Sequence, residues 1–250
     1  MLGSMKPTLS IVTGASRGLG RAVAEQLLAR GHQLISIARR APEGLASPQL
    51  QHWSTDLVDA RPVAARLAAF LAEQGPQAYA AANLINNAGV VSQLAPLADL
   101  EADDLQQALR VGLEAPTLLT SAFLHATGDW QSVRKVVLVS SGLGRRAMAG
   151  SASYCAAKAG LDHLARAVAL EEAGRSHGAR IVSLAPGVID TDMQLQLRSA
   201  DPQRFAERAR FVGLHSAGQL DSPQAAAAKL LAYLDRADFG SNPVADVRDA

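Results

Sequence analysis

Short apolar runs closed by small or polar residues alternate along this chain with longer stretches of helical periodicity. LSIVTG at Leu9–Gly14, QLISIARR at Gln33–Arg40, AANLINNAG, KVVLVSS and RIVSLAPG at Arg180–Gly187 are mostly apolar or β-branched, and HWSTDL adds a short strand ending at Asp56 and Leu57. Runs of that kind predict strands buried on both faces, as in a parallel sheet. Between them the spacing turns to three and four. Val23, Leu27 and Leu28 share one side of a first helix, with Arg21, Glu25 and Arg30 among the rest. Residues 62–74 predict an amphipathic helix, and 102–126 predict another whose Gly112 and Pro116 should kink it. A helix is expected from Ser151 and a last one over Ser222–Asp235. Residues 188–221 carry little strand signal and read as a loop-and-helix lid, reached by the turn at Pro186 and Gly187. Six strands alternating with helices predict an α/β fold, a doubly wound parallel sheet in a single Rossmann-type domain over 5–250. Met1–Ser4, ahead of Met5, read as a cloning remnant.

Composition narrows the partners. At 250 residues, 48% hydrophobic and 19% charged, the chain can bury one large core. Its formal net charge of +1 is spread out, with no basic block, which argues against a nucleic-acid surface or an anionic membrane. No apolar run approaches the ~18 residues that span a bilayer. A single cysteine, Cys155, excludes an internal disulfide framework and suits the reducing cytoplasm, with packing as its expected role. The six histidines lack metal-ligand spacing, and the Asp103-Asp104 and Glu171-Glu172 pairs read as solvated helix faces, so no metal site is assigned.

Candidate chemistry lies at the ends of the predicted strands. In TGASRGLG, Gly14, Gly18 and Gly20 permit a tight turn that brings backbone N–H groups to a pyrophosphate at the positive end of the next helix. The spacing is GxxxGxG, and its position at a strand-to-helix junction gives it weight. The second strand ends about twenty residues later, where a dinucleotide fold reads the adenosine ribose. Arg39 stands there with Arg40 beside it, and Arg17 lies inside the glycine turn, which points to the extra phosphate of NADP(H). Two solvated arginines at a strand end are the alternative. Asp56 and Leu57 are placed to touch adenine, and Asn86, Asn87, Ala88 and Gly89 suit a cofactor groove.

Ser141 follows the strand KVVLVS, so its hydroxyl should face the crevice where open α/β sheets bind ligands. Tyr154 and Lys158, four apart on a helix, share one face. An ammonium beside a phenol favours the phenolate and should lower the Tyr154 pKa from about 10. By itself, a Tyr four before a Lys on an Ala-rich helix is usually just a surface pair. With Ser141 it outlines a hydride-transfer site: Ser141 polarises a carbonyl, Tyr154 protonates its oxygen, and Lys158 tunes Tyr154.

TGASRGLG, Asp56-Leu57, NNAG, Ser141, YCAAK and PGVIDT stand in the order and spacing of the short-chain dehydrogenase/reductase family, which the chain resembles over nearly its whole length. The resemblance implies a Rossmann-fold oxidoreductase with Ser141, Tyr154 and Lys158 as catalytic triad, Lys158 also holding the nicotinamide ribose. It implies a cofactor bordered by Gly14, Ser16, Arg17, Gly18, Leu19, Gly20, Asn87, Ala88 and Gly89, with Pro186, Gly187, Ile189 and Thr191 at the nicotinamide. Dimers or tetramers are implied too, paired through the helices that precede and carry the tyrosine. Two departures stand out. Gly112 occupies the position of an asparagine that many members carry, and the usual closing strand into Asp-Gly-Gly is absent.

ALEEAG, LAPGVIDTDMQ and QLDSPQAAAAKLLAYLDRADFGS resemble the sepiapterin reductase branch of that family. In that branch an aspartate near the C-terminus anchors the pterin, which implies a substrate-binding role for Asp246, a two-point hydrogen bond to an amino-pyrimidine edge. A solvated charge on a frayed tail is the equal alternative. Bacterial relatives resemble diketone reductases. The expectation is an NADPH-dependent reductase of a small-molecule carbonyl lying beside a second carbonyl or a conjugated ring. A 3-oxoacyl thioester reductase or another short-chain alcohol dehydrogenase stands as an alternative, and a non-catalytic NADP(H)-sensing protein as a third.

Overall fold

The computed structural model describes residues 6–249; the proposed remnant at 1–4 lies outside them. Seven strands form one parallel sheet: β1 Thr8–Thr13, β2 Gln33–Ala38, β3 Leu50–Ser54, β4 Ala81–Asn86, β5 Val133–Val139, β6 Arg180–Ala185 and β7 Val244–Asp246. Their order is β3-β2-β1-β4-β5-β6-β7. The direction of winding reverses between β1 and β4, which opens a crevice beyond the carboxyl ends of the strands.

The helices are α1 Gly18–Ala29, α2 Arg61–Gln74, α3 Ala102–Leu109, α4 Ala115–Ala126, α5 Ala152–Ala173, α6 Asp192–Ser199, α7 Arg208–Ser216 and α8 Pro223–Asp235. Alternation along each strand divides the core into two layers. Val12, Ile85, Val137, Val182 and Leu184 pack with Val23 and Leu27 of α1 and Leu230, Leu231 and Leu234 of α8. Ile11, Leu84, Val136, Leu138 and Ile181 face the other way, against Leu67 and Leu71 of α2, Leu119 and Phe123 of α4, and Leu161 and Ala165 of α5. Buried on both sides, the strands inside the edge strand β3 have little room for polar alternation, which is why their runs read as continuous.

The expected kink at 102–126 is a π-helical turn, Arg110–Glu114, between α3 and α4. Gly112 lies in it against α5, where an added Cβ would stand 3.1 Å from the Ala157 Cβ. Pro116 falls in the first turn of α4, where its missing N–H leaves no gap.

Two expectations need correction. The sheet has seven strands, not six, and the chain does close on a strand: Val244–Asp246 pairs with Ser183–Ala185 of β6. Three residues after Pro243 carry no periodicity. The strand is specified by the open edge of β6, where Ser183 N donates to the Pro243 carbonyl at 2.8 Å. The segment 188–221 is, as expected, loop and helix, carrying Asp192–Ser199 and Arg208–Ser216, and its apolar side makes a small core of its own: Leu197, Phe205 and Phe211 with Leu94 and Met148.

Candidate active site

The turn after β1 is built by glycine. Gly14 has φ +68° and Gly18 φ +54°, left-handed conformations that L side chains rarely adopt. Gly20 is packed so closely that an added Cβ would lie 2.3 Å from both the Gly14 carbonyl oxygen and the Asn87 Nδ2. Asn87 fastens this turn to the end of β4, its Nδ2 donating to the carbonyls of Thr13 (3.0 Å) and Gly14 (3.3 Å). Thr13, which the motif reading passed over, completes the junction: its hydroxyl accepts from the backbone N–H groups of Asn87 and Ala88, each at 3.0 Å. Ser16 is partly buried at the turn, Arg17 is exposed and Leu19 is buried beneath it. The first N–H groups of α1 have no helical partner, and a tight backbone there suits a dinucleotide pyrophosphate.

Other predicted cofactor residues converge on the same edge. Thr191, just before α6, has its Cγ2 3.4 Å from where a Gly18 Cβ would stand. Pro186 is buried, Gly187 turns at φ +85°, and Ile189 forms a bridge with Asp221. Gly89 leaves only 3.6 Å between an added Cβ and the Lys158 Nζ. Arg39 and Arg40 are exposed just past the end of β2. Asp56 is exposed and caps a short turn, its Oδ1 accepting from Val58 N at 3.1 Å, while Leu57 is buried under it. Arg17 donates to Asp192 at 2.7 Å, which ties the glycine turn to the first residue of α6.

Ser141, Tyr154 and Lys158 meet at the mouth of the crevice. Ser141 leaves β5 in extended conformation, and its Oγ accepts from Leu143 N at 3.2 Å. That leaves the hydroxyl hydrogen free to donate. Lys158, 4% exposed, donates from Nζ to the Val139 carbonyl at 2.7 Å and lies 5.4 Å from the Tyr154 ring centre.

The expected direction of the tyrosine shift is corrected. Burial pushes the Tyr154 phenol up to about 12, against a downward pull from the Ser141 hydroxyl. Burial also brings Lys158 down to about 8, partly offset by the charge of Asp162. For each group the loss of solvation outweighs its favourable partner, the Ser141 hydroxyl for Tyr154 and the Asp162 charge for Lys158.

Of the two readings of Asp246, the solvated charge on a frayed tail is corrected. The residue is neither frayed nor free: it ends β7, is 4% exposed, and both its oxygens are taken by Arg248 (Nε to Oδ1 2.8 Å, Nη2 to Oδ2 2.5 Å). No cluster of three His, Cys, Asp or Glu side chains with the makings of a metal site occurs among the described residues. A cavity of about 580 Å³ lies far from these residues, between the ends of α4 and α5 and lined by His125, Trp130, Arg134 and Arg175, and it contains none of them.

A glycine turn of this geometry, at the head of a doubly wound parallel sheet, defines a dinucleotide-binding α/β protein. The family model described as short chain dehydrogenase matches residues 8–202. The chain is 33% identical over 240 residues to a benzil reductase ((S)-benzoin forming) of Bacillus cereus, covering 94% of this chain and 96% of that protein. It is 33% identical over 266 residues to the sepiapterin reductase of Rattus norvegicus, covering 99% and 98%. Among solved structures, a short-chain dehydrogenase/reductase from Burkholderia vietnamiensis matches with TM-score 0.67 and 34% identity, over 98% of this chain and 99% of that one. The chain belongs to the short-chain dehydrogenase/reductase family, oxidoreductases that use nicotinamide cofactors and act on small molecules. Among the described residues no helix is long and apolar enough to cross a membrane.

Proposed function

We propose that this protein is an NADPH-dependent carbonyl reductase whose substrate carries a second carbonyl or a conjugated ring beside the reacting one. The observation that carries the reading is the meeting of a donor hydroxyl on Ser141, a protonated phenol on Tyr154 and a buried ammonium on Lys158 at one point of the crevice.

The cofactor, when bound, supplies a hydride to the carbonyl carbon. Gly14, Gly18 and Gly20 would hold its pyrophosphate, and Asn87, Ala88, Gly89 and Thr191 would border it. Arg39, with Arg40 and Arg17 near, would take the ribose phosphate that distinguishes NADPH. Ser141 donates a hydrogen bond to the substrate oxygen. Tyr154, with its pKa near 12, carries its proton at neutral pH and passes it to that oxygen as negative charge develops there. The Lys158 charge favours the phenolate left behind.

The side chains beside the triad favour an apolar substrate. Leu143, two residues past Ser141, and Cys155, next to Tyr154, are only partly buried and pack, with Val91 and Met193, against the small core of Leu94, Met148, Leu197, Phe205 and Phe211. Since Arg248 already takes both oxygens of Asp246, a diketone with apolar substituents fits this reading better than a pterin. Two copies would pair through α4 and α5, whose outer face presents the small side chains Ala156 and Ala159 and the exposed Leu170. The cytoplasm, where a lone thiol stays reduced, is the proposed compartment.

The test is NADPH oxidation with benzil. Turnover is expected, and Tyr154→Phe should reduce it at least ~10³-fold while NADPH still binds. Undiminished turnover in the variant would remove the proton-transfer role. A wild-type protein that binds NADPH and reduces no ketone would instead be a nucleotide sensor.

A further inference from the structure

Below the candidate triad lies a carboxylate that none of the motifs includes. Asp162 sits on α5, one turn beyond Lys158 and two beyond Tyr154, and is 2% exposed. Its Oδ1 accepts two hydroxyl hydrogen bonds, from Ser140 at 2.7 Å and from Ser183 at 2.6 Å. Ser140 immediately precedes Ser141 at the end of β5, and Ser183 lies in the middle of β6. One oxygen atom therefore joins the tyrosine-bearing helix to two neighbouring strands. The other, Oδ2, has no hydrogen-bond partner, and its nearest cation is Arg145, Nε at 3.5 Å. Arg145 in turn donates to the Ala245 carbonyl on β7 at 2.7 Å.

The packing around this group admits no bulk. Gly144, in the turn after Ser141, passes so near that an added Cβ would lie 2.8 Å from Asp162 Oδ2 and 2.9 Å from the Lys158 carbonyl oxygen. A buried charge is expensive without compensation, and an apolar residue at this helix position would pack without one. The expense makes sense if the charge is used.

We propose that Asp162 is a positioning residue of this site: its buried carboxylate fixes the end of β5 through Ser140 and supplies the negative charge that keeps Lys158 an ammonium. The inference rests on the reductase reading, since it assigns Asp162 a purpose through Lys158.

The groups around Lys158 and Asp162 are few. On their own helix there is Tyr154. The Val139 carbonyl at the end of β5 accepts from Lys158, Ser140 and Ser183 donate to Asp162, the cation Arg145 from the turn after Ser141 lies beside Asp162, and Asp246 on β7 has its Oδ2 3.9 Å from Arg145. Gly89, from the loop after β4, brings no charge. Among these, Asp162 is the charge that acts on Lys158, raising its pKa against the effect of burial.

The sequence contains four lysines, so a ¹⁵N-lysine sample resolves the Lys158 ammonium and its titration can be followed directly by NMR. In the wild type the Lys158 signal should be that of an ammonium at pH 7. In Asp162→Asn, which keeps an acceptor for the serines and removes the charge, its midpoint should fall by about one pH unit or more. The basic limb of kcat with NADPH and benzil should move down with it. In Ser183→Ala, which keeps the charge and loses one hydrogen bond, the midpoint should stay within a few tenths of a unit of the wild type. A folded Asp162→Asn with an unmoved Lys158 midpoint would overturn the proposal. So would a neutral Lys158 amine at pH 7 in the unmodified protein, a reading that needs no variant to fold. The NMR titration requires no turnover, so a failed reductase assay with a shifted midpoint separates the enzymatic reading from the charge coupling.

Discussion

The Lys158 ammonium gives its hydrogen bond to the Val139 carbonyl, 2.7 Å away at the end of the neighbouring strand. The lysine is thereby fixed to the sheet, with the Tyr154 ring centre 5.4 Å from its nitrogen. Holding a charge there opposes folding. Its folded pKa of about 8 lies below the ordinary 10.5. The folded state therefore binds fewer protons than the unfolded chain between those values, and stability rises with pH across that window. The cost is fully present below about pH 8. Lys158→Met should remove it, raising unfolding free energy by about 1–2 kcal/mol at pH 7, less whatever is lost by orphaning the Val139 carbonyl. The gain should fade towards pH 10.5, and reductase activity should vanish at every pH. Urea melts of both proteins at pH 7 and 10 give the comparison, and a variant less stable than wild type at pH 7 would contradict it.

Arg39 governs the second prediction. It is exposed just past the end of β2, next to Arg40, and forms no ion pair among the described residues, whereas Arg17 is already bonded to Asp192 at 2.7 Å. Arg39 is thus the better-placed cation for a ribose phosphate. Arg39→Asp should weaken NADPH binding by about 10–100-fold and leave NADH within about threefold. Fluorescence titration with the two nucleotides measures both. Equal weakening would show that the arginine does not read the phosphate.

The glycine turn gives the third. A Cβ on Gly20 would meet the Gly14 carbonyl oxygen and the Asn87 Nδ2 at 2.3 Å, and neither can yield cheaply because Asn87 holds the turn to β4 through two hydrogen bonds. Gly20→Ala should therefore cost about 1–3 kcal/mol of stability and weaken nucleotide binding by at least ~10-fold. By contrast Gly213→Ala, on an open face of α7 where an added Cβ meets nothing within 4 Å, should be neutral or slightly stabilising. Thermal melts with and without NADPH test the pair.

These contrasts show which parts of the molecule were legible in the chain. The glycine turn, the Tyr154–Lys158 spacing and the buried strands are encoded in residues close together, where period and spacing carry the physics. The kink at Gly112 was legible for the same reason, although not its form as a π-helical turn. What depends on distant partners was not. Strand β7 exists because β6 has an open edge, and the Arg17–Asp192 pair joins residues 175 positions apart. Asp162 reads as one more polar residue on an Ala-rich helix until Ser140 and Ser183 are brought to it by two separate strands. The direction of the Tyr154 shift is not legible in the chain, because spacing shows a neighbouring charge but not the depth of burial that sets the shift.

Asp246 carries the last prediction. The Arg248 guanidinium beside it holds its carboxyl below the usual range, with Arg145 adding a smaller pull. Since the folded pKa is depressed, its contribution to stability is present above the unfolded value of about 3.9 and is lost as pH falls through the folded one. Asp246→Asn should lower stability by about 1–2 kcal/mol at pH 7, because Arg248 is left without its partner but is 63% exposed and can turn to water. The deficit should shrink below about pH 4, as the wild-type carboxyl itself becomes protonated. The same variant decides the substrate question. If the carboxylate serves to hold the C-terminal strand, sepiapterin and benzil reduction should change in proportion. Loss of sepiapterin turnover alone, with benzil unaffected, would return Asp246 to the substrate site and make the pterin the better-fitted ligand.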